Sequence, residues 1–309
     1  MIELLANTIL PVFSIILLGY VFKIRGIIQP PYSRTANQIV FHVAMPAMLF
    51  NALAQAPFHD YFDVAAGLCL LATLSIVGTF ALGVAVVSKV APSRKGTFLQ
   101  TSFHGNLGYM AYAIAFYALG PAHFARTAIL SSFLIIGQNL LGILSLTVFQ
   151  DYKPGSRRSI FDLVRKTLQN PVILAVSAGC LFSAMSLPLP KPIKLGLDIL
   201  AGMALPTALL LIGASLSFSS LQSMFKELVE IGTLKLLCMP LVGYLLMKWA
   251  DIADPLILPG IILLASPPAT VTYVMAVELG GDAELAASSI SVLTLLSAFS
   301  YSLFLWIFL

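Results

Sequence analysis

The chain has 309 residues, of which 59% are hydrophobic and only 10% charged, and its mean hydropathy is +0.96. A soluble domain carries about 25% charged residues, so a water-soluble fold is excluded. The net charge of +4 is scattered between apolar runs, which points to membrane topology and away from nucleic acid. Cys69, Cys180 and Cys238 lie inside apolar runs without metal-ligand spacing, so neither a disulfide framework nor a metal site is expected.

The first apolar run, about residues 4–23, lacks a basic leader and is followed by Lys23 and Arg25 instead of a cleavage site, so it reads as a retained helix. Further runs of membrane-crossing length follow at about 34–56, 64–88, 95–119, 124–149, 171–187, 193–217, 228–249, 256–279 and 285–308. The expected fold is therefore an all-α integral membrane protein with ten transmembrane helices. The stretch from Asp151 to Asn170 is the longest connection, and its Ile160, Leu163, Val164 and Leu168 recur at helical spacing, as in an interfacial helix. Loops after odd-numbered spans hold twelve Lys and Arg, and those on the opposite side hold four, Arg126, Lys191, Lys194 and Lys248. The positive-inside rule then places both termini outside and the basic linker in the cytoplasm, in a plasma membrane, with a bacterial inner membrane as the expected setting.

Sliding the chain against itself by 160 residues pairs Pro11 with Pro171, Gly19 with Gly179, Pro46 with Pro206, Gly83 with Gly243 and Gly120 with Gly280. The chain thus divides into a first five-helix repeat at 1–150, the linker at 151–170 and a second repeat at 171–309. An odd number of spans per half requires opposite insertion, and inverted repeats of this kind accompany alternating access.

Span 4 is interrupted near its centre by Gly105-Asn106-Leu107-Gly108, and span 9 by Ser266-Pro267-Pro268-Ala269-Thr270. Glycine weakens a helix and consecutive prolines remove amide donors. Asn106 and Ser266 are 160 residues apart, so the two breaks correspond. Unwound backbone at that depth must be buried in protein or line a watery cavity. Beyond each break, from about Tyr109 and from about Ala269, a half-helix presents its N-terminus to the same region, and such ends attract anions. Asn106 offers an amide donor and Thr270, Thr272 and Tyr273 offer hydroxyls, a set suited to a carboxylate. The competing structural account is a pair of kinked helices packing through small residues.

The residues carry a resemblance as well. Leu10-Pro-Val-Phe-Ser-Ile-Ile-Leu-Leu-Gly-Tyr20, Ala44-Met-Pro-Ala47, Gly105-Asn-Leu-Gly108, Asn170-Pro-Val-Ile-Leu174, Ala204-Leu-Pro206 with Leu211-Ile-Gly-Ala214, Lys235-Leu-Leu-Cys-Met-Pro240 and Ser266-Pro-Pro-Ala269 occur in that order. Together they resemble the auxin efflux carrier family, bacterial relatives of the plant PIN-formed carriers, with a fold like that of bile acid/sodium symporters. The resemblance implies two inverted five-helix repeats with crossed, broken helices 4 and 9. It also implies a scaffold of spans 1, 2, 6 and 7, a mobile transport unit of spans 3–5 and 8–10, and a homodimer. The implied substrates are small organic anions, either mono- or dicarboxylates such as malate or malonate or auxin-like carboxylates, moved by an elevator-type secondary transporter. Where family members commonly carry a proline shortly after the span 4 asparagine, this chain has Ala111, Tyr112 and Ala113. The long cytoplasmic loop of many plant carriers is absent.

The substrate-binding candidates are thus Gly105, Asn106, Leu107, Gly108, Tyr109, Asn139, Pro267, Pro268, Ala269 and Thr270. His104, His42 and Lys235 are candidates for proton or charge coupling, the coupling ion being H+ or Na+, with no other cofactor. His42 equally suits a plain hydrogen bond to a helix carbonyl, and Lys235 either snorkels to the cytoplasmic surface or compensates charge inside the transport unit. Gln138 and Asn139, in mid-span 5, are expected to bond across helices or line the cavity. Asp198 and Glu278, near span ends, are shallow enough to reach water. No zinc-protease, serine-hydrolase or paired acidic motif is present, so an enzyme is not expected. An anion channel is the other membrane alternative.

Overall fold

The computed structural model describes residues 2–56, 62–149, 169–218 and 221–309, so the interfacial helix expected in the basic linker falls almost wholly outside the described residues. Span 1 is α1, Ile2–Ile24. Span 2 is α2, Pro30–Ile39, then a π turn at Val40–Ala44, then α3, Met45–Ala54. Span 3 is α4, Val64–Val87, started by Asp63, whose carboxylate accepts the Ala66 amide. Span 4 opens with α5, Pro92–Phe103, and resumes after its break in a π turn at Leu107–Ala111 that leads into α6, Tyr112–Val148. Gly120 (φ 77°, ψ 169°) divides α6 into the rest of span 4 and span 5, a backbone conformation only glycine adopts freely.

The second half begins with α7, Pro171–Ala184, capped by Asn170. Span 7 is α8, Lys191–Gly202, followed by α9, Ala204–Ser215. Span 8 runs through a 3-10 turn at Gln222–Met224, α10 at Phe225–Thr233, a π turn at Leu234–Cys238 and α11 at Met239–Trp249. Span 9 is split into α12, Asp254–Leu264, and α13, Val271–Leu279, and span 10 is α14, Ala283–Phe308.

Among the described residues, seven helical stretches are long and apolar enough to cross a membrane, and Leu107–Gly120, Pro171–Ala184 and Asp254–Leu264 are shorter apolar helices. These three belong to spans 4, 6 and 9. Two of them are halves of the broken helices, each of which has too few continuous residues to cross alone. Exposed Leu68, Phe80, Ile199 and Phe299 give the bundle an apolar outer face, as lipid contact requires.

Prolines explain the π turns in spans 2 and 8. Pro46 and Pro240 each follow the wide turn by two residues, and each withholds an amide from the carbonyl four residues earlier. The carbonyl that Pro240 abandons, on Leu236, accepts the Ser300 hydroxyl of α14 instead (3.0 Å). Proline in the bundle is thus tolerated because a neighbouring helix supplies the missing donor.

The closest helix packing follows the 160-residue register. Span 1 lies against span 7, and span 2 against span 6. A Cβ on Gly19 would run into the Leu210 carbonyl, and a Cβ on Gly179 would lie 2.8 Å from Leu53 Cβ and 3.3 Å from the Phe50 carbonyl oxygen. Gly19 and Gly179 are separated by the same 160 residues as Phe50 and Leu210, so one backbone contact occurs twice. Close approach of this kind is how small residues join membrane helices, because dispersion contacts replace the hydrophobic drive that lipid removes.

At one end of the bundle, Arg94 bridges Glu227 and Asp282 (3.0 Å each), and the Asp282 amide donates to the Thr97 hydroxyl at 2.8 Å. This joins spans 4, 8 and 10. The Arg94, Glu227 and Asp282 side chains are all partly buried, so the two pairs are less screened than a surface pair.

Candidate functional site

The two breaks meet in the middle of the bundle. The Asn106 amide donates to the Pro267 carbonyl (2.7 Å) and the Ala269 amide to the His104 carbonyl (3.1 Å), so that Gly105 and Pro268 pair as a single antiparallel bridge. Each broken strand therefore satisfies the other's backbone where no helix can. Gln138 of span 5 completes the arrangement: its side-chain oxygen accepts the Gly105 amide at 3.0 Å and its nitrogen donates to the Gly105 carbonyl at 3.2 Å. Gly105 is glycine for a steric reason, since a Cβ there would collide with Ser266 Oγ and lie 3.2 Å from Lys235 Nζ.

Asn106 turns the broken strand back into helix. Its carboxamide oxygen accepts the Tyr109 amide at 3.3 Å as an N-cap, and its backbone carbonyl accepts Met110 and Ala111. One amide of this half-helix terminus is thus engaged by the protein itself. The Asn106 side-chain nitrogen is buried and has no protein partner, and an unpaired buried donor costs about 1–3 kcal/mol.

A cavity of about 830 Å³ opens beside the crossing. His104, Gly105, Asn106, Leu107, Gly108 and Tyr109 form one wall, and Ala269 and Thr270 continue it from span 9. Pro267 and Pro268 do not line this cavity; their role in the geometry is the bridge to span 4. Asn139 lines the cavity but donates along its own helix to the Ile135 carbonyl (2.8 Å), whereas its neighbour Gln138 reaches across. The Thr272 hydroxyl is already used, on the Ala269 carbonyl at 2.7 Å, while Tyr273 faces the cavity.

Sequence reasoning missed the opposite wall. Arg34 and Asn37 of α2 line the cavity, and Asn37 accepts the Tyr109 hydroxyl at 2.6 Å. The available signal was the polar stretch that opens span 2, at helical spacing with Phe41.

The three coupling candidates separate. His42 is exposed and its Nδ1 lies 3.0 Å from the Gln38 carbonyl, away from the crossing. His104 is buried at the end of α5, its Nδ1 has no protein partner, and a Cβ on Gly142 would lie 3.2 Å from that nitrogen. Lys235 does not snorkel: it is fully buried and donates to the Leu264 carbonyl at 2.7 Å. Asp198 is held by Lys194 (2.8 Å) and Asn51 (2.6 Å) beside a second cavity of about 590 Å³. No group of three or more potential metal ligands occurs among the described residues.

Comparison with known proteins identifies the family. Residues 4–305 match the family described as "Membrane transport protein". The chain belongs to that family. It is 26% identical to a "Putative malonate transporter" of Rhizobium meliloti (strain 1021) over 95% of this chain and 92% of the relative. It is also 26% identical to an "Uncharacterized transporter" of Methanothermobacter thermautotrophicus over 96% of each chain. These matches are consistent with the auxin efflux carrier resemblance and identify a multi-pass membrane transporter rather than an enzyme.

Proposed function

We propose that this transporter is a secondary active carrier of small organic anions, mono- or dicarboxylates such as malate or malonate, which bind beside the crossing of spans 4 and 9. The observation that carries this reading is the buried, unpartnered side-chain nitrogen of Asn106, a residue on the wall of the 830 Å³ cavity, where two half-helix N-termini also end. A carboxylate oxygen would accept from Asn106 Nδ2, gain from the partial positive charge at both helix starts, and meet Arg34 at the cavity edge. The malonate description of the Rhizobium relative supports the same substrate class.

The mechanism we infer is alternating access by ten crossings arranged as two inverted five-helix repeats. The doubled glycine contact at Gly19 and Gly179 supports the inversion. So do the two cavities: Arg34, Phe41 and Met45 line the first, and Lys194, Ala201 and Leu205, each 160 residues further on, line the second. They lie along opposite halves of spans 2 and 7, which favours a carrier over a channel. In the elevator form of this mechanism, spans 3–5 and 8–10 move against a scaffold of spans 1, 2, 6 and 7 through which two copies dimerise. The termini lie outside the plasma membrane and the first cavity opens to the cytoplasm. His104, directly before the break, is the histidine we assign to proton coupling, if protons drive the cycle.

The test is a thermal-stability screen of purified protein against mono- and dicarboxylates, because a ligand that binds only the folded state stabilises it by mass action. Stabilisation by malonate or a close analogue, lost in Asn106→Ala, is the expected result. Equal stability in every carboxylate would contradict the substrate class.

A further inference from the structure

The wall of the large cavity that faces the crossing carries a formal charge with no resident counter-ion. Among the described residues that line this cavity there is no Asp, Glu or Lys, and Arg34 is the one arginine. Arg34 is exposed and makes no hydrogen bond or ion pair with any described residue. Its guanidinium is charged at every working pH and presents a planar fork of donors that matches a carboxylate. Arg34 is also tied to the crossing through its neighbours. It precedes Asn37 by one turn on the same face of α2, and Asn37 accepts the Tyr109 hydroxyl at 2.6 Å. Tyr109 gives its amide to the Asn106 carboxamide oxygen at 3.3 Å. A short run of contacts thus leads from the arginine on span 2 to the asparagine whose buried side-chain nitrogen has no protein partner.

The position 160 residues further on sharpens the point. It is Lys194 on α8, which lines the second cavity as Arg34 lines the first. Four residues beyond Lys194 stands Asp198, which holds the ammonium at 2.8 Å and also accepts from Asn51 at 2.6 Å. Four residues beyond Arg34 stands Gln38, which carries no charge. The chain therefore sets a cation at both equivalent points but leaves only Arg34 without a carboxylate. The two unused donor groups of the first cavity, the neutral Asn106 amide and the Arg34 cation, stand on different spans, so an anion with two separated carboxylates can engage both.

We propose that Arg34 is the specificity-determining residue of the site: it takes the second carboxylate of a short dianion whose first carboxylate lies at Asn106, and so selects dicarboxylates over monocarboxylates of the same shape. This deepens the carrier reading and rests on its placement of a carboxylate at Asn106. The first carboxylate is held by the Asn106 amide and the half-helix N-termini, which act on any carboxylate alike. Only the second reaches the guanidinium, where a bidentate, charge-assisted pair adds affinity that a neutral group in its place does not gain. Because Asn106 belongs to span 4 and Arg34 to span 2, the dianion also bridges two spans that a monoanion leaves unconnected.

The experiment measures binding of malonate and succinate, each beside its own monoamide, to the full-length protein in detergent at neutral pH and low salt. The monoamide keeps the shape and one carboxylate and loses the second charge. Wild type should bind at least one diacid about tenfold more tightly than its monoamide, the low end for a hydrogen bond to a charged group, because Arg34 is exposed and screened. Arg34→Gln should bind acid and monoamide equally, at the wild-type affinity for the monoamide, and Arg34→Lys should keep part of the preference. Arg25→Gln removes a nearby positive charge that does not line the cavity, and should keep the wild-type ratio. Equal affinity of wild type for acid and monoamide in both pairs, or an Arg34→Gln variant that keeps the wild-type ratio, would overturn the proposal while leaving the carboxylate site standing. An Arg25→Gln variant that loses the ratio as fully as Arg34→Gln would overturn it too, since a general field and not a contact would then set the preference. Binding of neither acid nor monoamide to wild type would remove the carboxylate site itself, and the proposal with it.

Discussion

The Asn106 amide and the Pro267 carbonyl, 2.7 Å apart, join two chain breaks that lie far apart in sequence. Pro267 has no amide to give, but its carbonyl is free of a helix. Asn106 has left α5 and not yet begun the next helix, so its amide needs an acceptor. The pairing lets irregular backbone exist at membrane depth, and it leaves the Asn106 side chain facing a cavity.

Replacing Asn106 removes a cap and a donor at once. Asn106→Ala should weaken carboxylate binding by about 10–100-fold, the range for a hydrogen bond to a charged group. Asn106→Asp keeps the capping oxygen but sets a negative charge against the anion, and should bind at least as poorly. Titration calorimetry with malonate checks both; wild-type affinity in either variant would take Asn106 out of the site.

Gln138→Leu leaves the Gly105 amide and carbonyl without their side-chain partner. The carbonyl keeps the Leu107 amide as a donor (3.0 Å) while the buried amide is left unpaired, so the expected loss is about 1–3 kcal/mol, read as a lower unfolding temperature together with weaker anion binding. Asn139→Leu, which breaks only a bond within its own helix, should be far milder.

Gly105→Ala should disrupt the crossing, since its Cβ meets Ser266 Oγ. Overpacking of this kind costs about 1–3 kcal/mol. Adding Ser266→Ala removes the colliding atom, and the double variant should regain part of the lost stability and binding. A double variant no better than Gly105→Ala would mean that the nearby Lys235 ammonium, not the serine, sets the limit.

The seam between spans 1 and 7 and that between spans 2 and 6 should respond alike. Gly19→Ala and Gly179→Ala each drive a methyl group into a neighbouring helix and should each lower stability by about 1–3 kcal/mol. Gly83→Ala and Gly196→Ala, where a Cβ meets nothing within 4 Å, should be neutral within about 0.5 kcal/mol. Thermal unfolding in detergent separates the two sets. A tolerant Gly179 beside an intolerant Gly19 would argue against equivalent seams.

The breaks were legible in the sequence because glycine and proline act locally: Gly105 to Gly108 and Pro267-Pro268 interrupt helices wherever they stand. Their partners were not. Gln138 looks no different in sequence from Asn139, and only the rotation of span 5 turns one toward Gly105 and the other along its own helix. Lys235 was open between surface and interior because its depth in span 8 allows both, and the Leu264 carbonyl that decides it comes 29 residues later. The runs read as spans 4, 6 and 9 contain only short apolar helices, since hydropathy counts residues across a break that the backbone does not bridge as helix.

The central claim, a carboxylate carrier working by alternating access, is tested most directly by countertransport in proteoliposomes. Vesicles loaded with unlabelled malonate and diluted into labelled malonate should accumulate label transiently above equilibrium, with saturable kinetics, and Asn106→Ala should abolish the overshoot. Non-saturable entry of label, without overshoot, in vesicles that contain folded wild-type protein would contradict the carrier and favour a pore.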